Sequence, residues 1–329
     1  MRYAALKFIV CLLYLATASW AADPKYLYYR SGKPDDVSTK TTPGYALMGG
    51  GTDLNEAFQW MCQRAHGGDF LVLRATGDND YNPYVAKLCK LHSISTLVIP
   101  DKQSATDPRV AEIIRQAEAI FIAGGDQSSY IKFWQGTPVQ DAINERIRKG
   151  VPVGGTSAGL AVLGQFVFAA LNDSVNSKDT LANPYNEEVT IAQDFLKIPH
   201  LENIITDTHF AKRDRLGRFL GFLARIMADG KSKDIRGIAI DEKAAALLDA
   251  DGHIKIVGKG MGAYFMRPAH MPEVCRQGQP LTFKGIEVYK APPGATFDLN
   301  AWKGSGGTPY TLDVSDGKVA SSQADSALY

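Results

Sequence analysis

The stretch VPVGGTSAGLAVL, residues 151–163, decides the fold. Its first three residues form a short apolar run that predicts a strand, and its last four residues can start a helix. Between them lies Gly155-Thr156-Ser157-Ala158-Gly159, in which the glycines permit a tight turn between closely packed backbone segments. A strand that enters a helix through such a turn is typical of an α/β fold with a parallel sheet.

The same alternation of strand and helix precedes this turn. Each predicted strand is a continuous apolar run, which is typical of strands that are covered on both faces. We predict strands at residues 45–48, 70–73, 96–99, 119–122, 235–240 and 253–257, and helices at residues 53–66, 82–91, 107–117, 128–134, 139–149 and 213–228. The pattern predicts a three-layer, doubly wound, mostly parallel sheet of the flavodoxin-like type, with a small C-terminal β addition.

The two ends of the sequence predict export and a short extension. Positive charge at Arg2 and Lys7, an apolar run at residues 8–15 and small residues up to Ala21 predict a signal peptide over residues 1–21. That apolar run is shorter than the roughly 20 residues that span a bilayer. We therefore expect a periplasmic or secreted protein without membrane association after cleavage. Its main domain is predicted at residues 22–290, and residues 291–329 are predicted as an extension that frays at its end.

Composition and cysteine content exclude several classes of protein. The formal net charge is +1, which does not favour nucleic-acid binding. Cleavage leaves Cys62, Cys89 and Cys275. Cys62 and Cys89 lie near the ends of two successive predicted helices and can form a disulfide, although three free thiols are an equal alternative. No cysteine pair has the spacing of metal ligands, so neither a metal nor a cofactor is predicted.

Ser157 is the candidate nucleophile, because the pattern G-x-S-x-G between a strand and a helix exposes the serine hydroxyl at the turn. The Ala158 amide then points at the oxygen that becomes negative during attack. Gly125, in the turn after the strand at residues 119–122, is expected to supply a second amide. The alternative interpretation of Ser157 is a helix cap in a tight turn.

A serine hydroxyl needs a neighbouring base to act as a nucleophile. His209 is the candidate, because it follows an apolar run at residues 204–205 and precedes a basic segment. This position places it on the same rim of the predicted sheet as Ser157. His200, in a polar loop just upstream, is the reserve candidate.

The carboxylate that would orient the histidine is expected between Ser157 and His209. Asp173 is the first choice, because the apolar segment before it can return the chain to the rim of the sheet. The alternatives left open are Asp179, Glu187, Glu188 and Asp194.

Polar residues near these positions suggest how a substrate is held. Gln127 can hydrogen-bond a substrate amide or carboxylate. Arg213, Arg215 and Arg218 can bind carboxylates in two-point fashion, and Arg215 and Arg218 share one face of the predicted helix. A solvated basic face is the alternative interpretation of the arginines.

The ordered set of Gly124-Gly125-Asp126-Gln127, the Ser157 turn, Asp207-Thr208-His209-Phe210 and the three arginines resembles the cyanophycinase family over residues 45–257. That family is similar to the α-aspartyl dipeptidases, and the resemblance implies a class I glutamine-amidotransferase-like fold. It implies a serine exopeptidase that releases β-Asp-Arg dipeptides from cyanophycin, a poly-aspartate carrying arginine on its β-carboxyls. It also implies a homodimer.

The resemblance carries residue roles with it. Ser157 would be the nucleophile, His209 the base and Asp173 the acid. The substrate-binding positions would be Gln127, Asp207, Thr208, Arg213, Arg215 and Arg218, with Asp207 receiving a substrate guanidinium and the arginines receiving carboxylates. Thr208 stands where the family has glutamine. The alternatives are an aspartyl or isoaspartyl dipeptidase acting on other acidic peptides, or a non-catalytic exported binding protein.

Overall fold

The structure is a computed structural model, and it describes residues 25–329. The predicted signal peptide, residues 1–21, lies outside the described residues. The helices are α1 Asn55–Ala65, α2 Tyr81–Leu88, α3 Lys102–Ala105, α4 Pro108–Arg115, α5 Gln127–Trp134, α6 Pro138–Arg148, α7 Ala158–Ala161, α8 Ser177–Ala182 and α9 Leu216–Ala228. None of these helices is long and apolar enough to span a membrane.

The strands form two sheets. In chain order they are β1 Leu27–Gly32, β2 Gly44–Met48, β3 Asp69–Arg74, β4 Ser93–Val98, β5 Ala119–Ile122, β6 Val153–Thr156, β7 Phe166–Phe168, β8 Ile191–Gln193, β9 Ile204–Asp207, β10 Arg236–Ile240, β11 Ala244–Asp249, β12 His253–Gly258, β13 Ala263–Pro268, β14 Phe283–Ala291, β15 Thr296–Asp298, β16 Lys303–Ser305, β17 Thr308–Ser315 and β18 Lys318–Ser321. The first sheet has the order β1-β4-β3-β5-β6-β2-β11-β12-β15-β16. The second has the order β18-β17-β14-β13-β10-β9-β7-β8.

The centre of the first sheet is the predicted α/β unit. Strands β4, β3, β5, β6 and β2 are parallel neighbours. Because successive side chains of a strand face opposite ways, Leu71 and Ile120 pack with α4 and α6, whereas Phe70 and Phe121 pack with α1. Burial on both faces explains the continuous apolar runs in the sequence. The predicted three-layer, doubly wound fold is confirmed for this part of the chain.

Antiparallel strands enlarge this unit well beyond the predicted small addition. β1 pairs antiparallel with β4 at one edge, and β11, β12, β15 and β16 extend the sheet from β2 at the other. In the second sheet, only β10, β9 and β7 run parallel to one another. One face of that sheet shares a core with the first sheet, and its other face packs on α9.

The segment predicted to fray is anchored at its end. The Tyr329 hydroxyl accepts a hydrogen bond from the Leu216 backbone amide at 3.0 Å and donates one to Asp214 Oδ1 at 2.8 Å. Its ring packs edge to face against Phe210. Residues 291–329 therefore add strands to both sheets and return the chain to the start of α9.

The disulfide alternative is realised, because Cys62 in α1 is bonded to Cys89 just after α2. Cys275 is a free, partly buried thiol. The bond links two helices on the same face of the first sheet.

Candidate active site

Ser157 lies on a strained turn between β6 and α7. Its backbone adopts φ 51° and ψ −119°, a combination that L-residues rarely occupy. A Cβ on Gly159 would lie 2.0 Å from the Ile122 carbonyl oxygen, so only glycine permits this approach of α7 to β5. The turn thus holds the serine at the carboxyl ends of the parallel strands, as the sequence predicted.

His209 contacts this serine directly. Its Nε2 lies 2.7 Å from Ser157 Oγ. His209 follows β9, and its backbone amide donates to the Gly49 carbonyl after β2 at 2.8 Å. A Cβ on Gly50 would lie 2.5 Å from the imidazole Cε1, so the glycine leaves room for the ring. The predicted pairing of Ser157 with His209 is therefore present as a hydrogen bond.

The carboxylate beside the histidine is Glu242. Its Oε1 lies 2.6 Å from His209 Nδ1, in the turn between β10 and β11. The choice of Asp173 for this position is wrong, because Asp173 is exposed and caps the backbone amide of Ser174 at 2.7 Å. Ser157 and Glu242 occupy both ring nitrogens of His209, so none of the four alternative carboxylates fills that position.

The sequence did contain a signal for Glu242. Residues 235–240 were predicted as a strand, and the carboxyl end of a strand next to β9 reaches the same rim as His209. The expectation of an acid between serine and histidine leaves Glu242 out, because Glu242 follows the histidine in the chain. The chain order here is serine, histidine, then acid.

The surroundings of His209 and Glu242 set the charge states of these two residues. Burial lowers the pKa of His209 below its ordinary value, while the hydrogen bond to Glu242 opposes that shift. The hydrogen bond from His209 lowers the pKa of Glu242. At neutral pH this combination favours a neutral imidazole with an acceptor nitrogen facing Ser157, next to a charged carboxylate.

The expected oxyanion amides lie on both sides of Ser157. Ala158 follows the serine at the first position of α7. On the other side, a Cβ on Gly124 would lie 3.5 Å from the Ser157 Cβ, which brings the Gly124-Gly125 turn beside Ser157. The Tyr130 hydroxyl holds this turn by donating to the Ala123 carbonyl at 2.8 Å.

Asp207 cannot receive a substrate guanidinium as the resemblance implied. It is 2% exposed, and Arg218 binds its two oxygens at 2.8 and 2.5 Å. Arg218 is 3% exposed. The two residues neutralise each other inside the protein, so neither is available to a ligand. The assignment of both as substrate-binding residues is wrong.

The remaining predicted substrate positions differ in accessibility. Thr208 is buried and accepts a hydrogen bond from Arg215 Nη1 at 3.0 Å. Burial lowers the pKa of Arg215 to about 10. Arg213 has a half-exposed side chain whose Nε lies 3.7 Å from Glu242 Oε1. The helix α9 begins only at Leu216, so these two arginines lie in the preceding turns.

Gln127 is partly exposed at the first position of α5, and its amide lies 3.5 Å from the Phe168 carbonyl. Arg213, beside Glu242, and Gln127 thus remain accessible to a ligand.

The fold and the site define an α/β protein with a serine on a strand-to-helix turn and a histidine–carboxylate pair beside it. Residues 46–252 match the model of Peptidase family S51, and the chain belongs to this family. The predicted resemblance to cyanophycinases and the assignment to the serine peptidases are confirmed at the level of the family.

Two relatives show how far the similarity extends. The cyanophycinase of Geminocystis herdmanii is 31% identical over 168 residues, which are 51% of this chain and 56% of that protein. The cyanophycinase of Trichormus variabilis is 31% identical over 168 residues, 51% of each chain. The chain thus spans about half the length of these curated relatives.

Two solved structures are also similar. A peptidase from an acI-B1 Actinobacterium aligns with a TM-score of 0.49 and 18% identity over 79% of this chain and 98% of that one. A putative peptidase E from Listeria monocytogenes aligns with a TM-score of 0.43 and 15% identity over 66% of this chain and 99% of that one.

Proposed function

We propose that the chain is a serine peptidase in which Ser157 is the nucleophile, His209 the base and Glu242 the carboxylate that orients the base. The observation that carries this proposal is the unbroken hydrogen-bonded row from Ser157 Oγ through the imidazole to Glu242 Oε1, at 2.7 and 2.6 Å. Membership in a peptidase family supports it.

In the proposed reaction, His209 Nε2 takes the proton of the Ser157 hydroxyl as Oγ bonds to a peptide carbonyl carbon. Glu242 accepts a hydrogen bond from Nδ1 and stabilises the imidazolium that forms. The amides of Gly125 and Ala158 bind the oxyanion. Collapse breaks the C–N bond, and the leaving nitrogen receives the proton from His209. Water, deprotonated by the same imidazole, then releases the acyl group from Ser157.

The substrate we propose is cyanophycin, cleaved to β-Asp-Arg dipeptides. The support is the similarity to cyanophycinases. Lys212 and Arg213 are exposed beside His209 and can attract substrate carboxylates.

A second candidate is an aspartyl or isoaspartyl dipeptidase acting on other acidic peptides. The ion pair between Asp207 and Arg218 favours it, because it removes the carboxylate expected to receive the arginine side chain of cyanophycin. The exposed cations beside His209 serve either substrate.

The deciding experiment measures release of β-Asp-Arg from purified cyanophycin by wild type, Ser157→Ala and Ser38→Ala. Ser38 is exposed and lies outside the site, so its variant controls for handling. Release of β-Asp-Arg by wild type and by Ser38→Ala, with none by Ser157→Ala, supports the cyanophycin assignment. Cleavage of isoaspartyl dipeptides without release from polymer supports the second candidate. Failure to cleave either substrate, with no labelling of Ser157 by a serine-directed inhibitor, refutes the peptidase and favours a binding protein.

We also propose that the chain is exported, to the periplasm or beyond, after cleavage behind Ala21. The disulfide between Cys62 and Cys89 supports this, because such bonds persist in oxidising compartments. Amino-terminal sequencing of the protein from its source should begin at Ala22. A cytoplasmic protein that retains Met1 would contradict the proposal.

The resemblance further suggests a homodimer. Sedimentation velocity of the purified protein should then give a single species of twice the chain mass, and a monomer at micromolar concentration would rule it out.

A further inference from the structure

The peptide unit between Thr208 and His209 is held at both its oxygen and its nitrogen. The Thr208 carbonyl oxygen accepts a hydrogen bond from Arg215 Nη1 at 3.0 Å. The His209 amide donates to the Gly49 carbonyl at 2.8 Å. Because a peptide unit is planar, these two bonds fix the orientation of the whole plane. Rotation of the plane would change φ of His209 and, with it, the direction of the imidazole.

The backbone of His209 needs such support, because it is strained. Its φ is 47°, in the left-handed region that residues other than glycine seldom occupy. A conformation of this kind persists only where the surrounding contacts impose it. On its other side, the His209 carbonyl accepts a hydrogen bond from the Arg213 amide at 3.0 Å. Of the three hydrogen bonds, the one from Arg215 is made by a side chain, so it is the one that a substitution can remove.

The contact between Arg215 and the Thr208 carbonyl is charge-assisted. Burial lowers the pKa of Arg215 to about 10, so the guanidinium stays charged at neutral pH. The same Nη1 also donates to Thr208 Oγ1 at 3.0 Å and lies 3.5 Å from Asp207 Oδ1. Arg218 already binds both oxygens of Asp207, at 2.8 and 2.5 Å. The hydrogen bonds of the Arg215 guanidinium are therefore made to Thr208.

Arg213 and Arg215 differ in what they can contact, although they are two residues apart. The Arg213 side chain is 53% exposed, and its Nε lies 3.7 Å from Glu242 Oε1. The Arg215 side chain is 15% exposed, and its Nη1 faces Thr208 and the interior. Arg213 is thus open to a ligand, whereas the contacts of Arg215 are with the segment that carries the proposed base.

We propose that Arg215 is a positioning residue, which holds the peptide unit between Thr208 and His209 and so keeps the imidazole directed at Ser157 Oγ. Arg215 acts through His209 and does not bind a substrate carboxylate, the role that the resemblance implies for it. This inference rests on the proposed function, since it requires His209 to be the base that serves Ser157.

The test measures labelling of full-length protein by an uncharged alkyl fluorophosphonate, which has no carboxylate for an arginine to bind. Ser157 Oγ bonds to phosphorus, fluoride leaves, and His209 takes the hydroxyl proton, so the labelling rate reports how these two residues are aligned. Arg215→Met should be labelled about a hundredfold more slowly than wild type, because a displacement of about 1 Å at a catalytic group can cost that much.

Arg225→Met is the matched control. The Arg225 side chain is also 15% exposed and also donates to a backbone carbonyl, that of Pro184, at 2.9 Å. It lies ten residues further along the chain, in the last turn of α9, roughly 15 Å away at about 1.5 Å per residue. Arg225→Met should be labelled at the wild-type rate.

The possible outcomes separate this inference from the proposed function. Labelling of Arg215→Met at the wild-type rate would overturn the inference alone. Equal losses in Arg215→Met and Arg225→Met would also overturn it, because they indicate general destabilisation. Wild-type protein that is not labelled at all would refute the proposed function, and this inference with it.

Steady-state kinetics separate positioning from substrate binding. On the substrate that wild type hydrolyses, cyanophycin or an isoaspartyl dipeptide, Arg215→Met should lower kcat and leave KM unchanged. A raised KM with an unchanged kcat would assign Arg215 to the substrate and overturn the inference.

A lysine variant covers the case in which Arg215→Met does not fold. Arg215→Lys keeps the charge and can donate to the Thr208 carbonyl, but its flexible ammonium holds that oxygen less rigidly than a planar guanidinium does. It should be labelled more slowly than Arg225→Lys and, where Arg215→Met folds, faster than Arg215→Met. Equal rates in Arg215→Lys and Arg225→Lys would overturn the inference.

Discussion

Glu242 can be separated from Asp173 by one isosteric change at each. Glu242→Gln puts an amide against His209 Nδ1, and an amide that donates there favours the wrong imidazole tautomer. We expect kcat on a cleaved peptide to fall by about 10³- to 10⁴-fold. Asp173→Asn, the matched control on an exposed loop, should retain wild-type kcat. Similar losses in both variants would contradict the assignment of Glu242.

The pH dependence of activity should reflect the burial of His209. His209 must be neutral to act as the proposed base, and burial lowers its pKa below the ordinary value of 6.5. The active form therefore persists as the pH falls to 6.5, and the acid limb of kcat/KM should lie below that pH. In Glu242→Gln the contact that raises the pKa is lost, so the limb should move lower still. An acid limb above pH 7 in wild type would contradict this prediction.

Gly50 is a position at which an added side chain would contact His209, the proposed base. Gly50→Ala places a methyl group 2.5 Å from the His209 ring, at φ +96°. We expect at least a hundredfold loss of kcat/KM, because a displacement of about 1 Å at a catalytic group can cost that much. Gly136→Ala is the control, since φ there is +71° but nothing lies within 4 Å of the new methyl. Both variants should lose stability, but only Gly50→Ala should lose activity.

The role of a single residue was predictable where its immediate sequence neighbours determine its backbone conformation. Gly155 and Gly159 flank Ser157, so the strained turn could be recognised from five residues. Glu242 meets its partner only because two strands become neighbours, and sequence order does not show that. Likewise, the resemblance implies that Asp207 binds a substrate guanidinium, and sequence order does not show that Arg218 pairs with it inside the core.

At the scale of elements, the last residues of the chain fasten the segment that follows His209. Tyr329→Phe removes both hydrogen bonds that join Tyr329 to Leu216 and Asp214. We expect a loss of about 1–2 kcal/mol of stability and a higher KM, because the turns carrying Arg213 loosen. Tyr185→Phe removes a bond to Asp229 instead and should change stability without changing KM. An unchanged KM in Tyr329→Phe would show that the anchor serves stability alone.

The missed and shifted elements have physical causes. β6 was predicted at residues 151–153 but spans Val153–Thr156, because its two central glycines resemble a turn in sequence. A Cβ on Gly154 would lie 2.6 Å from Met61 Sδ, so close packing selects glycine within this strand. β11 was not predicted, since its run of alanines lacks the branched side chains that mark strands.

At the scale of the whole molecule, a buried acid should make stability depend on pH. Glu118 is 2% exposed, and burial raises its pKa from 4.5 to about 7. Between these values the folded state binds the proton more tightly than the unfolded state, so stability falls as pH rises from about 5 to 7. Each unit of difference corresponds to about 1.4 kcal/mol.

Glu118→Gln tests this dependence by chemical denaturation across that pH range. The variant keeps an oxygen for the Asp69 amide, which Glu118 Oε2 accepts at 2.9 Å, but it does not ionise. Its stability should decline less than that of wild type between pH 5 and 7. Parallel curves for the two proteins would contradict the prediction.

The parallel strands at the centre of the first sheet were predictable, because a strand buried on both faces has a continuous apolar sequence. The second sheet was not, because most of its pairs join strands that are distant in the chain or short. β14 and β17, for example, are paired in the second sheet, but the two strands between them in the chain, β15 and β16, belong to the first sheet. Alternation within one strand cannot reveal which sheet it joins.

The bond between Cys62 and Cys89 has a practical consequence for recombinant production. It closes a loop of 27 residues, and by chain-entropy arguments such a cross-link contributes about 3–4 kcal/mol. Domains are commonly stable by only about 5–15 kcal/mol. Protein made in a reducing host compartment would begin with much of that margin missing, so poor yield there would reflect the missing bond rather than a defective fold.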